Sequence, residues 1–318
     1  MSEVPPSRLS KAALAAFVLG ASSLVLSLAT ALPALFLGIH AIRSINGSDG
    51  RLHGRRLAIA GMTLSAVVTA ATILGSIALV MLFAQEKNHI AGCTNNLRQM
   101  GQAIYSYSDH NDHFFPPGTV VNAELKPQQR LSWQAAIWPY LSEAAAAGKK
   151  AGKQREKTSG EIDFKEAWDT AANAGLRHNV PFFLCPIFAH ELSSSQVGLT
   201  SYVGVAGVGD EAATLPRSDA NAGFFGYDRL LRAADISSRL DATMSAIETK
   251  QNNGPWLAGG PPTLRGVPLD CDRYIGTDAA YGGLHRQGAN ILWADGSVRI
   301  VTDKIDPDLF RQEARILR

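Results

Sequence analysis

Two long uncharged runs stand out in the first quarter of the chain. Residues 12–39 carry no charge over 28 positions, and residues 57–85 carry none over 29. A helix needs about 20 apolar residues to cross the hydrocarbon core of a bilayer. Each run therefore predicts a transmembrane helix, with tilt or an interfacial extension taking up the excess. Pro33 and Gly38 fall in the first run, where neighbouring helices can satisfy a freed carbonyl. Ala29-Thr30-Ala31 behind Arg8 and Lys11 has the form of a signal cleavage site. The apolar run continues past it through Leu32, Leu35, Phe36 and Ile39, so the span is expected to be retained.

The second run continues past Glu86 without a proline. Ile90, Leu97, Met100 and Ile104 then recur near helical spacing. This predicts one long helix, embedded at its start and amphipathic beyond, ending before Pro116-Pro117-Gly118. Farther on, residues 182–184 and 202–205 read as short strands, and 166–176 as a helix. Residues 290–294 and 297–301 alternate around Asp295-Gly296, which predicts a half-buried hairpin with a type I′ turn. Residues 306–317 read as a short amphipathic helix with Pro307 in its first turn. Residues 143–161 are rich in Ala, Gly and Lys with little to bury, and read as a solvated helix or a mobile insertion, with a solvated basic run. The expected organisation is a two-helix anchor over 1–85 and a second domain over 86–318. The expected fold class is α+β, with the second transmembrane helix packed as a long helix on an antiparallel β-sheet.

Charge changes this picture in one respect. The net charge is +2, but of the 30 basic residues six precede Glu86, against two acids there. The remainder has 24 basic and 26 acidic residues, so nothing on it attracts nucleic acid. Loop 40–56 carries Arg43, Arg51, Arg55 and Arg56 against Asp49, while the N-terminal tail carries Arg8 and Lys11 against Glu3. The positive-inside rule then puts the loop in the cytoplasm and residues after Glu86 outside. The expected location is the cytoplasmic (inner) membrane, as a multi-pass protein with an extracytoplasmic C-terminal domain. Three cysteines exclude a disulfide-dense scaffold.

Gly38-Ile39-His40-Ala41-Ile42-Arg43, followed by Gly50-Arg51-Leu52-His53-Gly54-Arg55-Arg56-Leu57, resembles the bacterial two-helix membrane module known as domain of unknown function 4190. That resemblance implies anchoring rather than chemistry. A second resemblance begins at Cys93-Thr94-Asn95-Asn96-Leu97-Arg98-Gln99-Met100-Gly101. It continues through Trp133, Trp138-Pro139-Tyr140-Leu141, Phe183-Leu184-Cys185-Pro186 and Ser201-Tyr202-Val203-Gly204. It ends at His285, nine residues, then Asp295-Gly296. These segments, in this order, resemble the pseudopilin-like family of domain of unknown function 1559, with its terminal H-x9-D-G signature. The resemblance implies a non-enzymatic, membrane-anchored protein working in assembly, secretion or envelope scaffolding. Its implied partners are the lipid bilayer and other pseudopilin-like or envelope proteins. The positions it marks are Cys93, Asn96, Leu97, Gln99, Cys185, Pro186, Tyr202, His285, Asp295 and Gly296. Ala66 stands where a prepilin carries its processing-linked Glu, so no cleavage behind Gly61 is expected.

No Gly-x-Ser-x-Gly, H-E-x-x-H or Walker sequence is present. His285 and Asp295 have the chemistry of a base and its orienter, or of metal ligands. A hairpin turn at Asp295 and a loop pinned by His285 explain the same residues structurally. Asp270, Asp272 and Asp278 supply no ligand pattern, and Asp109, His110, Asp112 and His113 fit a polar turn. No cofactor, metal or catalytic residue is expected. Cys93 and Cys185, both in family segments, are either a disulfide or two reduced buried thiols, with Cys271 left over. Two other readings remain open: a hydrolase using His285, and a polymer-binding module using Trp133, Trp256 or Tyr274.

Overall fold

The computed structural model describes residues 8–9, 11, 15, 28–49, 51–146, 161–191 and 198–317. The chain divides into two compact units, Met1–Gln85 and Glu86–Arg318. In the first, strand β1 (Arg8–Leu9) pairs in parallel with β2 (Leu52–His53). Helix α1 (Leu28–Asn46) meets the start of helix α2 (Arg55–His110) at small residues. Ala41 and Ala58 are fully buried, and a Cβ on Gly38 would lie 2.2 Å from Met62 Cγ.

One helix among the described residues, α2, is long and apolar enough to cross a membrane. Its side chains over 73–85 stand exposed, with Leu74 and Val80 about two-thirds accessible. The expectation of two spans, and of a multi-pass protein, is corrected here. Most of the first expected span, 12–39, lies outside the described residues. Its described remainder runs over 28–39 before the helix turns polar at His40. The bulk of the expected insertion 143–161 also lies outside the described residues.

In the second unit, α2 buries Cys93, Leu97, Met100, Ala103 and Ile104, the helical stripe visible in the sequence. The helix ends at His110, where Asp112 and His113 take positive φ and Asn111 Nδ2 donates to Tyr107 O at 2.7 Å. The polar turn at Asp109–His113 is thus a helix terminus. Helix α3 is Trp133–Ala146, α4 is Pro186–Glu191 and α5 is Pro307–Glu313. Asp306 caps α5 by accepting from the Asp308 and Leu309 amides. Residues 166–176 form turns and a single 3-10 turn rather than a helix.

Five strands form the sheet: β3 (Tyr202–Val208), β4 (Met244–Glu248), β5 (Leu264–Val267), β6 (Ala289–Trp293) and β7 (Val298–Val301), in the order β5-β3-β4-β6-β7. The sheet is mixed, not the antiparallel pilin-like sheet expected. After β4 the chain crosses to the far side of β3, and β5 enters parallel to it. Alternate strand residues feed two cores. Tyr202, Ala206, Ala246 and Leu292 join α2 and α3, while Val203, Val205, Ile247 and Ile291 pack with Tyr274, Tyr281 and Phe310. A Cβ on Gly101 would meet Leu292 Cδ1 at 2.9 Å, so α2 lies close on β6.

The final hairpin is present with a different turn. Trp293 N donates to Ser297 O and Gly296 N to Trp293 O, each at 2.9 Å. Only Gly296 in the loop has positive φ, +82°. This is a three-residue loop closed by a left-handed glycine, not a type I′ turn. Strand β6 is buried on both faces, and the edge strand β7 is half-exposed.

Candidate functional site

Four chemically reactive side chains from four separate segments converge in the second unit. Cys93 comes from α2, Cys185 from the residue before α4, Glu248 from the end of β4, and His285 from the loop before β6. Their donor atoms all lie within 4.8 Å of one another. Cys93, Cys185 and Glu248 are fully buried, and the His285 side chain is 2% exposed.

Local structure explains each placement. A Cβ on Gly92 would meet Pro186 Cγ at 2.9 Å, so the helix presses on the Cys185 segment. Asn96, one turn past Cys93, donates from Nδ2 to Pro181 O at 3.0 Å and Leu184 O at 2.9 Å. Cys185 N donates to Ser201 Oγ at 2.7 Å. Glu248 pairs across the sheet with Tyr202, whose buried hydroxyl accepts from Asn96 Nδ2 at 3.4 Å. Gly282 and Gly283 both adopt positive φ, and Gly282 N donates to Glu248 O. This reversal aims His285 back over the end of β4, a path a Cβ-bearing residue would resist. Leu184, Phe188 and Leu284 complete an apolar jacket.

The convergence is centred on one atom. His285 Nε2 lies 3.3 Å from Cys93 Sγ, 3.5 Å from Cys185 Sγ and 2.9 Å from Glu248 Oε1. A single N–H serves one acceptor at a time. The Glu248 contact is close but misaligned, since Oε1 makes no hydrogen bond. The other ring nitrogen, Nδ1, also has no hydrogen-bond partner and faces Glu86 Oε1 at 3.6 Å. Glu248 Oε2, by contrast, accepts from Asn290 N at 3.1 Å and Asn290 Nδ2 at 2.6 Å.

Protons respond to this crowding. Burial opposes a charge on His285, but the neighbouring Cys185 sulfur and Glu248 carboxylate outweigh that, and the imidazole is pushed up to about 10. The Cys185 thiol is lowered, chiefly by the hydrogen bond from Cys93. The three cysteines are free thiols.

Two thiols, an imidazole and a carboxylate form a donor set suited to zinc-class cations. An ion about 2.0–2.3 Å from four tetrahedral donors holds them roughly 3.3–3.8 Å apart. The distances from Nε2 to the two sulfurs fall in that range, and the orphaned Oε1 is the atom an ion would satisfy.

The structure brings together Cys93, Cys185, His285, Asn96 and Tyr202 from the sequence-marked positions. Leu97 lies in the core, Pro186 opens α4, and Gln99 Oε1 lacks a hydrogen-bond partner. Asp295 is not part of the cluster. It accepts from Ser297 N at 2.8 Å, and with Gly296 makes the hairpin tip beside Tyr105. Glu248 and Asn290 were not anticipated. Trp133, Trp256 and Tyr274 are buried core residues rather than exposed aromatics. A surface hollow of about 280 Å³ is lined by Tyr107, Pro117, Val120, Tyr140 and others, none of them in the cluster.

A family described as protein of unknown function (DUF1559) matches residues 91–263. No curated protein and no solved structure matches the chain. The matched region contains Cys93, Cys185 and Glu248 and stops before His285. The resemblances in the N-terminal helices and in the segment from His285 to Gly296 rest on sequence alone. The chain belongs to the DUF1559 family.

Proposed function

We propose that this DUF1559 protein is a membrane-anchored metal-binding module, its C-terminal domain tied together by a zinc-class cation on Cys93, Cys185, Glu248 and His285. The observation that carries this reading is the crowding at His285 Nε2, where three buried acceptors face one nitrogen. An ion would replace the competing protons with four bonds and give Glu248 Oε1 the partner it lacks. Its chemistry would be structural. Four buried protein donors leave no open position for water, which a hydrolase built on His285 would need. The bilayer is the partner for the exposed apolar length of α2.

The test is elemental analysis of the full chain, purified in detergent under reducing conditions without chelator. One equivalent of zinc per chain is expected, falling to a small fraction in Cys185→Ser. A wild-type chain that carries no metal under these conditions would overturn the reading.

A further inference from the structure

The two oxygens of Glu248 are treated unequally. Oε2 is engaged by the backbone N–H of Asn290 and by its side-chain amide, while Oε1 alone points into the cluster. The amide cannot present its other end to Glu248, because a carboxylate only accepts and Asn290 Oδ1 would then face it oxygen to oxygen. With the NH2 turned to the carboxylate, Asn290 Oδ1 accepts from Thr94 Oγ1 at 2.9 Å on the other side. Asn290 itself is 1% exposed, so water does not compete for these bonds. The chain from Thr94 on α2 through Asn290 on β6 to Glu248 on β4 therefore links three elements, two of which supply ligands.

We infer that Asn290 is the specificity-determining residue of the centre: by holding Glu248 Oε2 it restricts the carboxylate to one donor oxygen, so that the site is four-coordinate and selects tetrahedral cations. The inference rests on the metal-binding reading above. A carboxylate free to turn offers both oxygens and raises the coordination number to five, the regime of larger and harder ions. With Oε2 occupied by two N–H donors, that rotation would break both bonds inside a dry core. Asn290 touches no ligand sulfur or nitrogen. It acts through Glu248 and is a positioning residue, in the manner of outer partners that fix ligating side chains.

The test uses the full chain in detergent with two metals. Wild-type protein loaded with zinc is measured by X-ray absorption, and a shell of two sulfurs and two nitrogen or oxygen atoms is expected. Wild-type and Asn290→Ala proteins loaded with cobalt(II) are compared by their visible ligand-field absorption. The wild type should give the intense tetrahedral band, and the variant a band weaker by about twofold or more as a fifth donor enters. Zinc affinity in the variant should fall about 10–100-fold. A five-donor shell in the wild type overturns the inference even if the variant does not fold. So does a folded Asn290→Ala protein with an unchanged cobalt band. In both of those cases the metal-binding reading stands, whereas a wild-type chain that takes up neither metal removes that reading and this inference together.

Discussion

Cys93 Sγ and His285 Nε2 are 3.3 Å apart across 192 residues of sequence. The contact joins the helix that carries the apolar run to the loop that opens the last hairpin. Everything proposed for the site depends on that closure, and each consequence can be measured.

Removing the metal should loosen the C-terminal domain. A cation present at 1,000 times its Kd stabilises the folded state by about 4 kcal/mol. For a unit of this size that corresponds to roughly 10 °C in Tm. Thermal melts of the detergent-solubilised chain with and without a strong chelator should differ by that order. The Cys185→Ser protein should melt like the chelated wild type and ignore added chelator.

Metal affinity should rise with pH. His285 is pushed up to about 10 in the metal-free domain, so it carries a proton at neutral pH that the ion must displace. Protons on the thiols must leave as well. Zinc titrations between pH 6 and 8 should show affinity falling as pH falls, with proton release on binding. An affinity independent of pH would mean that these groups are not the ligands.

Asn96 holds the Cys185 segment against the helix. In Asn96→Ala the carbonyls of Pro181 and Leu184 lose their donor. The expected loss is about 1–3 kcal/mol of stability. Zinc affinity should fall with it, because Cys185 is no longer placed in advance. Denaturant titration and metal competition on the same preparation measure the two effects.

The hairpin tip and the cluster should respond independently. Gly296 has φ +82°, and a Cβ there would be 3.5 Å from Tyr105, an ordinary contact. Gly296→Val is therefore opposed by backbone strain rather than by a clash, at about 1–3 kcal/mol. The folded variant should keep full metal content. Metal loss from it would tie Asp295 and Gly296 to the site after all.

How far the sequence discloses all this varies with the range of the interaction. The amphipathic stripe of α2, the Pro307 start of α5 and the paired strands around Asp295-Gly296 are local patterns, and each is legible. The turn type is misread because Asp-Gly suits two loop geometries, and strand register decides between them. The mixed sheet is invisible, since the parallel pairing of β3 and β5 depends on where the chain crosses after β4. At the site, Cys93, Cys185 and His285 stand out as positions within family-like segments. Nothing local gathers them: the ligands come from four segments, and no short spacing of the kind seen in zinc fingers marks them. Glu248 closes the apolar strand β4, and a lone acid there carries no local sign of its partners.

The most direct measurement of the central claim is anomalous X-ray scattering across the zinc absorption edge, from crystals of the protein prepared without chelator under reducing conditions. The account predicts one peak per chain, bounded by Cys93 Sγ, Cys185 Sγ, Glu248 Oε1 and His285 Nε2. Density with no peak there would contradict it.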